Sequence, residues 1–106
     1  MSVKMECGEH AVTAYLSGEI DHHCAKEMRD EIDGACDRIK PQMLILDFRD
    51  VTFMDSSGIG LVMGRYKLMQ QFAGEIVIAN ANTHIQKVMK LAGLDRLAVI
   101  EKGAKR

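Results

Sequence analysis

Met43-Leu44-Ile45-Leu46-Asp47-Phe48, followed after four residues by Phe53-Met54-Asp55-Ser56-Ser57-Gly58-Ile59-Gly60, decides the fold of this chain. The first run is the most apolar in the sequence, and only Asp47 interrupts it. An apolar run on both sides of the strand alternation predicts a central strand covered on both faces. Arg49 to Thr52 is expected to be a connecting loop. Ile59 to Phe72 has helical spacing, so a small polar turn is held between a rigid strand and a helix N-terminus. Open α/β sheets place their working groups there, at the carboxyl end of a strand. Asp and Ser are also good N-caps, because their oxygens accept from free N–H groups of the first turn. The turn therefore has two readings, a plain helix cap or a functional serine.

The helix after the turn carries Gly58, Gly60 and Gly64. An interior glycine costs about 0.5–1 kcal/mol relative to alanine. Close backbone packing, or room for something to approach, would compensate. Ile59, Val62, Met63, Tyr66 and Met69 form one apolar face. Leu61, Leu68 and Phe72 form a second stripe on nearly the opposite side. That stripe suits either burial on two sides or a strip covered by a partner. Further on, Glu75 to Ala79 reads as a strand. Thr83-His84-Ile85-Gln86 has the form of a capping box. Ile85, Val88, Met89 and Ala92 continue a helix that Gly93 ends. Leu97 to Ile100 is a final strand, and Glu101 to Arg106 a frayed polar tail.

Upstream, Val3, Met5 and Cys7 alternate with polar residues, as do Val12, Ala14 and Leu16. This predicts an N-terminal hairpin turning at Gly8-Glu9-His10 and ending at Gly18. Asp21 is the expected N-cap of the next helix. Ala25, Met28, Ile32, Ala35, Cys36 and Ile39 form its apolar face, and Pro41 stops it. The order ββαβαβαβ predicts one α/β domain over residues 1–106, with a mixed, mostly parallel sheet, an N-terminal hairpin and amphipathic helices.

Composition narrows the function classes. The 106 residues suit one core, and a hydrophobic fraction of 47% is that of a globular protein. Trp is absent and Met occurs eight times, so the core is mainly aliphatic with flexible gap-fillers. The net charge of −1 leaves no basic stripe for nucleic acid. No run is long enough to span a membrane. Met1 to Glu6 lacks the apolar region of a signal peptide. The three cysteines, Cys7, Cys24 and Cys36, are odd in number and widely spaced, which suggests reduced thiols in the cytoplasm.

Catalytic motifs fail on spacing. A nucleophile elbow needs Gly two places before and after its Ser. Met54 and Asp55 occupy those preceding positions. Gly58-Ile59-Gly60 with Gly64 lacks dinucleotide-fingerprint spacing, and Arg65 stands where a P-loop needs Lys. His22-His23-Cys24 has no CxxC or HxxxH partner for zinc. No general base, oxyanion donor or paired-carboxylate site emerges. The chain is expected to do no chemistry of its own and to hold no cofactor or metal.

At Asp55-Ser56-Ser57-Gly58-Ile59-Gly60 the sequence resembles the STAS family of anti-sigma factor antagonists. The likeness extends through Gly18-Glu19-Ile20-Asp21-His22-His23, through Met54 and Gly64-Arg65-Tyr66-Lys67, and to Lys90-Leu91-Ala92-Gly93-Leu94. It covers nearly the whole chain and is similar in type to antagonists controlling the sporulation sigma factor sigma-F. It implies partner switching. The unphosphorylated antagonist binds an anti-sigma factor that is also a serine kinase, with bound ADP or ATP, and frees the sigma factor. The kinase then phosphorylates the antagonist, and a PP2C-type phosphatase resets it. By motif position Ser56 is the phosphorylated residue. Asp21, Asp55, Ser57, Gly58 and Gly60 would share its contact surface, with Gly58 and Gly60 leaving room for the kinase. Such a protein is expected to be cytoplasmic and monomeric when free, with no nucleic-acid or membrane partner. Two alternatives stay open: a STAS module in another sensory complex, and a small anion or nucleotide binder at a helix N-terminus.

Overall fold

The computed structural model describes residues 3–101. Its order is β1 (Val3–Cys7), β2 (Ala11–Ile20), α1 (His22–Ile39), β3 (Met43–Met54), α2 (Ser56–Gln71), β4 (Glu75–Ala79), α3 (Thr83–Leu91), a 3₁₀ turn (Leu94–Arg96) and β5 (Val99–Ile100). The strands form one sheet in the order β1-β2-β3-β4-β5. β1 and β2 are antiparallel, and the remaining pairs are parallel. The hairpin and the mixed, mostly parallel sheet therefore stand as expected.

Each parallel strand is followed by a helix and then by the adjacent strand, always in the same direction across the sheet. Right-handed crossovers of that kind put all three helices on one face. Burial agrees. Val12, Ala14, Leu16, Leu44, Leu46, Ile76 and Ile78 are at most 1% exposed and point into the helices. On the reverse face Tyr15 is 40% exposed, and Thr13, Met43 and Ile45 are half-buried. The first half of β3 is thus central but sealed on one face only, a correction to the two-sided expectation. Asp47, on the reverse face, is explained by its partners. Its carboxylate accepts from the Arg49 N–H at 2.9 Å and from Asn80 Nδ2 at 2.9 Å, tying β3 to the turn after β4.

Several boundaries move. Residues 49–52 are strand, not loop, and β2 runs past Gly18 to Ile20. The register shifts twice, between Tyr15 and Ser17 and between Gly18 and Glu19, and each time β3 contributes an extra residue. Those bulges break the two-residue alternation that marks a strand in sequence. Gly18 takes φ +81°, the left-handed region, and so carries the chain through the bulge. The cap of α3 is Asn82, whose side chain accepts from the Ile85 N–H at 2.8 Å, while Gln86 Nε2 donates to the Ala81 carbonyl. The expected capping box lay one residue too late. The last strand is two residues long because Leu94–Arg96 forms a 3₁₀ turn. Residues 102–106 of the expected tail lie outside the described residues.

α2 buries Gly58, Leu61, Val62, Arg65 and Met69. Leu61 therefore belongs to the core, with Leu68 and Phe72 packed at its margin, whereas Met63 is 38% exposed. Four of the eight methionines, Met28, Met54, Met69 and Met89, fill the core. Arg65 is the unexpected member of the buried face, at 7% exposure. Its Nε lies 2.9 Å from Asp33 Oδ1 on α1. Neither atom has an aligned hydrogen-bond partner, so the contact is an ion pair without a well-directed bond. Burial pushes the Asp33 carboxyl up and the Arg65 guanidinium down, each against the pull of its partner. Desolvation therefore outweighs attraction, and the pair fixes how α1 meets α2 more than it adds stability.

Arg65→Met should leave Asp33 half-enclosed and unanswered. The expected loss is about 1–3 kcal/mol, less than for a fully enclosed pair because Asp33 keeps contact with water. Adding Asp33→Leu should recover most of it. Burial already holds the Asp33 carboxyl above the ordinary 3.8 against the pull of Arg65, so losing Arg65 should raise it further. A raised acid favours the fold below its unfolded pKa and loses that contribution as pH rises through the folded pKa. The deficit should therefore shrink as urea melts are taken toward pH 4.

Candidate functional site

β2 and β3 are parallel neighbours, and Ile20 and Met54 pair as their last residues. Each strand ends in an aspartate, and each aspartate caps a helix. Asp21 Oδ1 accepts from the Cys24 N–H at 2.9 Å, and Asp55 Oδ1 accepts from the Ser57 N–H at 2.7 Å. The Asp55 N–H donates to the Ile20 carbonyl at 3.3 Å, which ties the two caps together. The N-termini of α1 and α2 therefore sit abreast at one end of the sheet. Neither helix has an acidic residue in its first turn. The two N-caps are thus the only first-turn carboxylates answering two positive helix ends. Backbone hydrogen bonding from Cys24, chiefly, holds the Asp21 carboxyl below its ordinary range.

Ser56 is the first residue of α2 and is exposed, and Ser57 is half-buried. Among the described residues neither hydroxyl has a hydrogen-bond partner, and no histidine or carboxylate is placed to take its proton. Ser56 is therefore accessible but not activated. Two of the thiols are poor nucleophiles. Burial raises both Cys24 and Cys36, the latter to about 11. Cys7, Cys24 and Cys36 are all free. Among the described residues no three His, Cys, Asp or Glu side chains are grouped to hold a metal ion.

The structure brings together Asp21, Asp55, Ser56 and Ser57 as the sequence suggested. It separates the glycines. A Cβ on Gly58 would collide with the Met54 side chain and touch Ile20, so this buried glycine serves internal packing of α2 on the strand ends. A Cβ on Gly60 would meet nothing within 4 Å, so only Gly60 leaves open space on the surface. Sequence reasoning assigned no role to Phe53. It is 51% exposed, pairs across the sheet with Glu19, and stands two residues before Asp55. An exposed aromatic beside an otherwise polar turn has the character of an interface anchor. Its only sequence signal was a large apolar side chain at the head of the polar turn. A groove between α1 and α2 opens beside Ser57, lined by His22, Lys26 and Arg29 on one wall.

The model of the STAS domain family matches residues 2–103. A relative from Paenibacillus polymyxa, an anti-sigma F factor antagonist, is 33% identical over 94% of this chain and 86% of its own length. The unphosphorylated form of the anti-sigma factor antagonist SpoIIAA superposes with a TM-score of 0.82 at 31% identity, covering 94% of this chain and 88% of that one. The phosphorylated form of the Bacillus protein SpoIIAA gives a TM-score of 0.74 at 31% identity, covering 94% and 91%. The chain belongs to the STAS domain family. It is a regulatory binding protein, not an enzyme.

Replacing either cap should loosen this end of the molecule. Asp21→Ala and Asp55→Ala are each expected to lower the urea midpoint, and the Asn variants far less. For Asp21 the lowered pKa means its contribution is present above the ordinary 3.8 and fades as pH falls through the folded value.

Proposed function

Taking STAS membership as the premise, we propose that this chain is an anti-sigma factor antagonist. Its unphosphorylated form binds an anti-sigma factor that is also a serine kinase and so releases a sigma factor that drives sporulation genes. Phosphorylation of Ser56 switches it off. The observation that carries this reading is the exposed, unbonded Ser56 hydroxyl at the first position of α2, beside the capping carboxylate Asp55. A substrate serine needs access and no activation, because the kinase supplies base and metal. The γ-phosphoryl group of ATP passes to Ser56 Oγ, the hydroxyl proton goes to the kinase, and ADP leaves. A PP2C-type phosphatase hydrolyses the ester and restores the binding form. This cycle operates in the cytoplasm on a monomer.

The physics of the switch follows from the surroundings. A phosphate adds roughly −1.5 to −2 charges at a spot already next to two carboxylates. A partner shaped for a neutral hydroxyl must then bury an unmatched dianion, which is expensive. The domain itself has less reason to change. The phosphate faces the positive end of α2, which favours it, and its repulsion from Asp55 is screened by solvent.

Three outcomes are expected. Incubation with ATP and the anti-sigma F factor of Paenibacillus polymyxa should add one phosphate, which fragment masses place on Ser56. Phosphate on Ser57, or persistence of the reaction in Ser56→Ala, would overturn the assignment. By titration calorimetry Ser56→Ala should bind that factor like the native chain, and Ser56→Asp at least tenfold more weakly, about 1.4 kcal/mol. Amide shifts on phosphorylation should cluster at Asp21 and Asp55 to Gly60. Large shifts throughout Ile76 to Ala79 would point to an allosteric switch.

A further inference from the structure

The groove that opens at Ser57 has a volume of about 520 Å³ and runs between α1 and α2. Both helices begin at the same end of the sheet, so they lie parallel, with their positive ends at the mouth of the groove. From Ser57 to Gly64 the groove follows α2 for about 10 Å, two helical turns. Its walls carry Lys26 and Arg29 from α1 over a floor of Ala25 and Leu61, and no carboxylate lines it. Arg65, at the far end, is already answered by Asp33. Lys26 and Arg29 are not comparably engaged. Their side chains are 71% and 46% exposed and share Asp30, at 3.8 and 3.4 Å, and Arg29 also feels the Asp33 carboxylate. Exposed contacts of that kind contribute little and yield readily to a better partner.

The opposite wall is formed by Gly60 and Gly64, one turn apart. A Cβ on either would meet nothing within 4 Å. Unlike Gly58, neither is required by contacts within this chain, yet both weaken the helix that contains them. Bare helix backbone facing an open groove lets another backbone approach closely. The side-chain-free wall and the exposed, weakly paired cations opposite it are independent features that suit the same occupant.

We propose that the α1–α2 groove receives an acid-bearing helix of the same partner that contacts Ser56. Carboxylates of that helix pair with Lys26 and Arg29, and its backbone lies against Gly60 and Gly64. This rests on the antagonist function proposed above and adds to it a second contact, continuous with the phosphorylation site. It also makes recognition depend on charges that phosphorylation does not touch.

The test uses the full chain and the anti-sigma F factor of Paenibacillus polymyxa. Lys26→Glu with Arg29→Glu should weaken binding at least tenfold and flatten its salt dependence. The same charge change on α3, Lys87→Glu with Lys90→Glu, should alter affinity less than twofold. Gly64→Leu should raise the melting temperature while weakening binding at least tenfold, a pairing that a folding defect cannot produce. Native affinity in the Lys26/Arg29 and Gly64 variants, with Ser56→Asp still weak, would overturn the groove contact and leave the antagonist function standing. Failure of the native chain to bind or to be phosphorylated would overturn both.

Discussion

The hydrogen bond from the Asp55 N–H to the Ile20 carbonyl, at 3.3 Å, is the contact on which the site depends. It is the last rung between two parallel strands and also the first residue outside a helix. Because β2 and β3 end together, α1 and α2 start together, and their caps become neighbours. Gly58 enforces the arrangement from below. It lets α2 settle on Met54 and Ile20, so the turn between strand and helix is a single residue long. The turn is short and is hydrogen-bonded to the neighbouring strand end and to the first turn of α2. Under the proposed phosphorylation of Ser56, a partner would meet the same turn with a different potential.

Most of the architecture was legible because it rests on local chemistry. Apolar spacing located α1 and Asp21 was legible as its cap, whereas α2 was expected to begin at Ile59 and in fact begins at Ser56, with Asp55 as its cap. The site residues Asp21, Asp55, Ser56 and Ser57 converge because each lies at a strand end whose neighbour the topology fixes. What stayed hidden depended on pairing between distant segments. The bulges that make residues 49–52 strand exist only against β2, and an isolated reading of Arg49-Asp50-Val51-Thr52 finds no alternation. Phe53 stood at the head of the polar turn and was given no role of its own. The buried face of α2 was misjudged because its centre is Arg65, a charged residue whose partner lies on another helix. The distinct roles of Gly58 and Gly60 could not be separated without knowing what stood opposite each.

The capping carboxylates and the ion pair between the helices act differently. Asp21 and Asp55 face backbone N–H groups that are fixed in place, so hydrogen bonding lowers the pKa of Asp21 and each cap has a defined geometry. Asp33 and Arg65 face each other without an aligned bond, and burial dominates both. The caps stabilise their helices. The ion pair sets the spacing between α1 and α2, and hence the width of the groove between them. Stability and surface shape are thus entrusted to separate charges.

Strand order in this sheet equals chain order. No strand is inserted between two earlier ones, so each new strand can dock on an edge that already exists. The loop closed at every step is one crossover of roughly constant length, and the entropy of closure does not grow as the sheet widens. Parallel sheets are ordinarily slow to form because their pairings are distant in sequence. Here the antiparallel β1–β2 hairpin supplies a local start, and accretion from that edge proceeds in the order in which a ribosome delivers the chain. The assembly is therefore compatible with folding during synthesis, with β5, only two residues long, as the last and most easily lost addition.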